Sequence, residues 1–375
     1  MKFVHLSDLH IGKVVNGFSM LEDQKYILNE ILGIIDVQKP DAILIAGDIF
    51  DRGIPPESAI NVADDFFGEL LERKLPILAI SGNHDSAVRI SFNSGFMRKS
   101  GFYMTSNLAG DIGPITLTDE YGPVNFWLLP YIQPFMVRKA FPDDEFDGYS
   151  GAVETVVRHM NIDKKQRNVI LSHQYVEFSE TSGSEESAVG TINCIGQKIY
   201  DDFDYVALGH IHKPATLAPN HMRYCGTQLS YNFSSHDLKE KTLTVVEMGP
   251  KGSVEIKEIP LHPLHAMRTV FGTFDEIMNL AASEDYLKVT LHDEQEIPNV
   301  MNELRSRFPN VMHLEYDNTR SRRTAVVEAR KKALELHPAK LFAEFYENMS
   351  NHPMTEEQEK IVDALVREIW EGEKE

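Results

Sequence analysis

Ten residues of the types that bind metal ions or move protons stand just past five short apolar runs. Asp8 and His10 follow Phe3-Val-His-Leu, and Asp48 and Asp51 follow Ala42-Ile-Leu-Ile-Ala-Gly. Asn83, His84 and Asp85 follow Ile77-Leu-Ala-Ile-Ser-Gly. His173 follows Val169-Ile-Leu-Ser, and His210 and His212 follow Val206-Ala-Leu-Gly. Mixed imidazole, carboxylate and amide donors without thiolate suit manganese, iron or zinc better than calcium or magnesium alone. Residues two apart beyond a strand, such as Asp8 and His10, project to the same side. Gly47 before Asp48 carries no side chain, which would let a second ion approach that carboxylate from either flank. A carboxylate shared by two ions about 3.5–4 Å apart serves phosphoester hydrolysis, making hydroxide available at neutral pH and offsetting charge that develops on phosphorus. A lone histidine after a strand is more often a core or surface residue, and a lone Gly-Asp is usually a turn. Five such endings in order, each after a buried-looking run, do not arise by coincidence.

Bringing these side chains together requires strands that deliver their carboxyl ends to one edge of a sandwich. Ser19 is an N-cap candidate with Glu22 three residues on, a capping box. Leu21, Ile27, Leu28, Ile31, Leu32 and Ile35 then keep helical spacing. Pro40 stops that helix, and Pro55 and Pro56 open another that carries Ile60, Phe66, Phe67, Leu70 and Leu71 inward. Strand and helix alternate as in a layered α/β protein. Residues 86–100, with Arg89, Arg98 and Lys99, form a helix or loop that could meet a phosphate backbone or simply face water. Short strands follow near 102, 115 and 124, a helix over 150–160, and further strands near 222, 242 and 254. Residues 177–190 hold too little apolar content to pack and read as a surface loop beside His173.

Pro260 and Pro263 mark a boundary. The predicted organisation is a catalytic domain over 1–262, a small α/β unit over 263–320 and a helical tail over 321–375. The tail begins near a basic cluster, Arg320, Arg322 and Arg323. It carries one apolar stripe at Leu341, Phe342, Phe345 and Tyr346, and a second at Ile361, Leu365, Ile369 and Trp370 after Thr355 as N-cap.

The chain has 375 residues, 42% hydrophobic and 25% charged, an ordinary globular composition. A net charge of −20 argues against a simple DNA-binding module but not against an enzyme whose metal ions and partner supply positive charge. No run approaches the roughly 20 apolar residues of a membrane span. No secretory leader opens the sequence. Cys194 and Cys225 form no disulfide framework. A cytoplasmic protein is the expectation.

Asp8-Leu-His10, Gly47-Asp-Ile-Phe-Asp51, Gly82-Asn-His-Asp85, Ser172-His173 and Gly209-His-Ile-His212 resemble the five motifs of the calcineurin-like metallophosphoesterases. Their flanks, including Ala46-Gly-Asp-Ile-Phe-Asp-Arg-Gly-Ile-Pro-Pro and Tyr205-Val-Ala-Leu-Gly-His-Ile-His-Lys-Pro, are similar to the nuclease-subunit family of SbcC–SbcD-type DNA repair complexes. The specific resemblance covers roughly residues 1–260. It implies an α/β fold, a four-layer α-β-β-α sandwich with a small α/β capping domain and a helical tail. It also implies two manganese ions, with magnesium, iron or zinc as alternatives. Asp8, His10, Asp48 and His212 would hold one, and Asp48, Asn83, His173 and His210 the other, with Asp48 as the bridge. His84 would act on the substrate and not on metal, with Asp85 orienting it. Asp51 stands where other members carry a histidine that helps position the phosphodiester. The implied activity is exonuclease and endonuclease cleavage of DNA ends and hairpins in double-strand-break repair. A phosphoesterase for nucleotides or phosphoproteins is the alternative. Implied partners are DNA, an SbcC-type SMC-like ATPase docked by the C-terminal helices, and a second copy of the chain meeting residues 58–71 or 89–102.

Overall fold

A computed structural model describes residues 1–108, 112–177, 194–217, 221–319, 339, 342–343, 346 and 354–371. They fall into two compact units, one up to Arg268 and the other from Thr269. The loop over 178–190, the cluster Arg320, Arg322 and Arg323, and the stripe residues Leu341 and Phe345 lie outside the described residues, as do the side chains of Ile369 and Trp370.

In the first unit twelve strands form two six-stranded sheets. In chain order they are β1 (Lys2–Leu6), β2 (Ala42–Ala46), β3 (Ile77–Ile80), β4 (Phe102–Thr105), β5 (Ile115–Asp119) and β6 (Gly122–Leu129). The others are β7 (Arg167–Ser172), β8 (Tyr205–Leu208), β9 (Ala215–Leu217), β10 (Met222–Tyr224), β11 (Lys241–Met248) and β12 (Val254–Leu261). One sheet runs β12-β11-β1-β2-β3-β4 and the other β9-β10-β8-β7-β6-β5. The ligand-bearing strands are central and parallel: β1 with β2, β2 with β3, and β7 with β8. Parallel pairing is what brings their carboxyl ends to the same edge.

Alternation divides each strand between two cores. Phe3, Leu44, Leu78, Phe126, Leu171 and Tyr205 meet between the sheets, where Phe3 packs edge-on against Phe126 with ring centres 5.8 Å apart. Trp127, Leu129, Ile170 and Val206 face the other way, onto the buried stripe Ala152, Val153 and Val156 of a helix over Gly148–His159. On the first sheet Val4, Leu6, Ile43 and Ile45 alternate away from the inter-sheet core and are buried, as are Ile27, Ile31 and Ile35 of helix α1 (Leu21–Gln38) and Phe66 and Leu70 of helix α2 (Glu57–Glu72). The layers are therefore helix, sheet, sheet, helix.

Two local expectations fail for identifiable reasons. Ser19 does not cap α1, because Phe18–Ser19 pairs with Val14–Val15 in a small hairpin and the helix begins after Met20. Ile60 is 48% exposed and does not face inward, the buried face of α2 being set by Ala59, Val62, Ala63, Phe66 and Leu70. The region 86–100 resolves into Ala87–Ile90, Ser94–Met97 and a 3-10 turn.

The second unit contains a three-stranded sheet of Met267–Gly272, Tyr286–Leu291 and Val311–Tyr316, the last two parallel. Its core joins Leu287, Val289 and Leu291 with Ile277, Leu304 and Phe308. A helix over Glu356–Glu371 starts with a capping box: Thr355 Oγ1 accepts from Gln358 N at 3.3 Å, and Gln358 Oε1 accepts from Thr355 N at 2.9 Å. No helix among the described residues is long and apolar enough to cross a membrane.

Candidate metal centre

The loops after β1 and β2 are laced together by their backbones. Asp8 N donates to Gly47 O at 3.0 Å, His10 N to Asp48 O at 3.0 Å and Ile11 N to Ile49 O at 2.9 Å. Asp8, His10, Asp48 and His210 all adopt positive φ, at 53°, 44°, 51° and 97°. Each such residue other than glycine costs on the order of 1–3 kcal/mol, and persists only where its surroundings over-determine it. Glycines admit the close approach. A Cβ on Gly209 would strike the Ala46 carbonyl, and one on Gly82 would strike Asp48. Gly47 is required for a different reason than access of a second ion: its φ is +91° and a side chain there would collide with the His173 ring.

All ten sequence-predicted residues arrive at this edge. His10 Nε2 and His212 Nε2 face each other at 3.0 Å, and His10 Nε2 lies 3.7 Å from Asp48 Oδ2. The same Oδ2 is 3.4 Å from His173 Nε2. Asn83 Oδ1 lies 3.0 Å from both His173 Nε2 and His210 Nδ1. Candidate donor atoms of Asp8, His10 and His212 lie within 4.8 Å of one another, as do those of Asp8, Asp48 and His173. The same holds for His10, Asp48 and His84. His84, however, is exposed and its Nδ1 donates to the Asp51 carbonyl at 2.9 Å.

The protonation chemistry suits divalent cations. Burial holds His10, His210 and His212 far below the ordinary imidazole value, at about 2, about 3 and about 4, so each presents a neutral ring. Burial pushes Asp8 up to about 7, with His173 opposing and Asp48 adding to the rise. Burial alone would lower His173, but the Asp48 carboxylate outweighs it and raises that imidazole to about 9. Asp48 lies below the usual carboxylate range, because the charge and the hydrogen bond of His173 overcome the effect of its burial. His173 Nδ1 donates to the Ala46 carbonyl at 2.7 Å, which turns Nε2 toward Asp48 and Asn83. A second ring nitrogen tied to a carbonyl is the usual support of a metal-binding histidine. Where oxygen and nitrogen donors converge in this way, a proton on His173 Nε2 stands where a cation fits.

Asp85 makes its hydrogen bonds to backbone amides. Its carboxylate accepts from the amides of Ile49, Phe50 and Gly82 at 3.2, 3.0 and 2.9 Å, bracing the loops of Asp48 and Asn83, while the Asp51 carbonyl holds the His84 ring. The Asp51 carboxylate takes Lys13 Nζ at 2.7 Å and lies 3.7 Å from His10 Nδ1. Sequence reasoning missed Lys13, Gln24 and Tyr231. Lys13, three residues after His10, had a local signal in that spacing. Gln24 and Tyr231 had none, since they meet the loop only through long-range contacts.

Two sheets between helices, with paired donor sets at the strand ends, define a metallophosphoesterase. The pattern of the calcineurin-like phosphoesterase family matches residues 1–214, and that of the type 5 capsule protein repressor C-terminal domain matches residues 261–350. The SbcD polypeptide of the SbcCD nuclease from Staphylococcus saprophyticus is 30% identical over 379 residues, covering 99% of this chain and 99% of the relative. Its counterpart from Staphylococcus epidermidis is 29% identical over 384 residues, covering both chains fully. A dimetal phosphatase of Danio rerio is similar in structure at 12% identity and TM-score 0.43, covering 69% of this chain and 95% of that one. The chain belongs to the calcineurin-like phosphoesterases and, within them, to the SbcD family of SbcCD nuclease components.

Proposed function

We propose that this protein is a metal-dependent DNA nuclease, the SbcD component of an SbcCD-type repair complex, hydrolysing phosphodiesters by exonuclease and endonuclease action. The observation that carries the reading is the convergence of His, Asp and Asn donors around the Asp48 carboxylate, in a chain related over its full length to such nucleases. Asp8, His10, Asp48 and His212 would hold one manganese ion, and Asp48, Asn83, His173 and His210 the other. Bound there, the ions supply Lewis acidity toward the phosphoryl oxygens and a nucleophile from water at neutral pH.

The protein's own groups do the rest. His84, held through Nδ1–H, keeps Nε2 for the substrate, where in its imidazolium form it gives the Nε2 proton to the leaving oxygen as the phosphorus–oxygen bond breaks and is left as the neutral ring. The Asp51 carbonyl fixes that ring, and its carboxylate holds Lys13 at the rim as a positive charge for the DNA backbone. The C-terminal segment that includes helix Glu356–Glu371 docks an SbcC-type ATPase. A second copy of the chain meets the exposed Val88, Phe92 and Phe96.

The test is cleavage of end-labelled duplex and hairpin DNA by the full-length chain with manganese or magnesium, with and without the ATPase and ATP. Manganese-dependent cleavage is expected. Hydrolysis of a small phosphodiester with no cleavage of any DNA would move the assignment to a phosphoesterase of small substrates.

A further inference from the structure

The first turn of α1 sends a buried amide against the back of the metal centre. Gln24 is 2% exposed, and its side chain reaches the loop between Asp8 and Gly12. Gln24 Oε1 accepts from Gly12 N at 2.9 Å. Its Nε2 lies 2.8 Å from the His10 carbonyl, 2.8 Å from Tyr231 Oη and 3.3 Å from the Leu9 carbonyl. The buried Tyr231 hydroxyl lies 3.0 Å from that same Leu9 carbonyl. The hydrogens can be assigned without conflict. Nε2 donates to His10 O and Tyr231 Oη, and the hydroxyl donates to Leu9 O. Reversing the amide would set Oε1 against two carbonyl oxygens, so the partners fix its orientation.

The loop held this way is the one with most need of support. Asp8 and His10 both sit at positive φ, and the peptides that Gln24 and Tyr231 grip lie between and just after them. Rotating either peptide plane would swing His10 away from His212, whose Nε2 atoms now lie 3.0 Å apart. Resting on the ligand assignment above, we propose that Gln24, seconded by Tyr231, is the positioning residue of the first metal site and sets its affinity. Asn83, His173 and His210 come from other loops, so the effect falls more heavily on the first ion than on the second, which the loop reaches only through the shared Asp48 and the bond from His210 N to Asp8.

The full-length protein, stripped of metal by chelation, is titrated with Mn2+ alone and followed by calorimetry and by the Mn2+ spin-resonance signal. The parent binds two ions. Gln24→Met, which keeps the shape and removes the hydrogen bonds, weakens one of the two by about 10–100-fold, the usual effect of losing a group that orients a ligand, and weakens the other by clearly less. Tyr231→Phe weakens the same ion to a smaller degree, and decides the matter on the same criterion if Gln24→Met does not fold. A packing role alone would lower the melting temperature of the metal-free protein while both affinities stay within twofold of the parent, and that result overturns the proposal. Equal weakening of both ions overturns it as well. A parent that binds fewer than two ions overturns the ligand assignment first and this proposal with it.

Discussion

His84 is held differently from the other imidazoles of the centre. His173 and His210 turn ring nitrogens toward Asn83 Oδ1, and His10 and His212 toward each other, whereas His84, tied like His173 through Nδ1 to a backbone carbonyl, leaves its ring exposed. Its backbone N–H does serve the site, donating to Asp48 Oδ1 at 2.8 Å, and no side-chain substitution removes that bond. The side chain and the metal sites are therefore separable. His84→Gln should retain the parent's manganese content and lose cleavage by about 10²–10⁴-fold, the range for a missing general acid. Asp48→Asn should lose metal, because Asp48 lies between both donor sets. Metal analysis and single-turnover cleavage on the two variants read the two roles independently. Full activity in His84→Gln would remove it from the chemistry.

At the scale of elements, the sheets are tied at the end of β5 and the start of β7. Arg167, 4% exposed, places Nη2 at 2.5 Å and Nη1 at 3.0 Å from the Asp119 carboxylate, and also donates to the carbonyls of Gly122 and Gly249. The amino group of Met1 takes the same carboxylate at 2.6 Å, joining β1 to the second sheet. The Arg167 hydrogen bonds, helped by the Met1 amine and opposed by burial, hold Asp119 below the usual carboxylate range. A folded-state value depressed below the unfolded one, about 3.9, stabilises the protein above that pH, and the contribution is lost as pH falls toward the folded value. Asp119→Asn should therefore cost about 2 kcal/mol at pH 7, typical of hydrogen bonds to a charged group, and progressively less below pH ~4. Urea unfolding of parent and variant at both pH values measures this; a cost that is the same at both would show that charge is not its source. The same scale explains what the sequence revealed. Strand ends were legible because a buried parallel strand is a continuous apolar run, and a ligand just past it breaks the run abruptly. The Ser19 capping box was not, because a two-residue hairpin partner outbids a local cap and no window around Ser19 signals it. Gln24 and Tyr231 stand 207 positions apart, and only the closed fold brings them together.

For the whole molecule, the net charge of −20 sets the problem, since a chain this acidic must meet a polyanion through local positive charge and through partners. Two apolar surfaces have the character of contact sites. Phe92 and Phe96, each 73% exposed, lie in the turn after Ala87–Ile90 and on Ser94–Met97, within the region expected to meet a second copy, and the exposed Val88 lies just before it. Ile361 and Leu365, 60% and 49% exposed, repeat at helical spacing on Glu356–Glu371, the segment expected to dock the ATPase. If these surfaces serve different partners, they fail separately. The double variant Phe92→Ser/Phe96→Ser should run as a single chain of 42.6 kDa by light scattering where the parent runs at twice that mass, and should still co-elute with an SbcC-type ATPase. Ile361→Ser/Leu365→Ser should do the reverse, keeping the dimer and losing the ATPase. A Phe92/Phe96 variant that remains dimeric would take the second copy off this surface, and one that loses both partners at once would show the two contacts to be coupled.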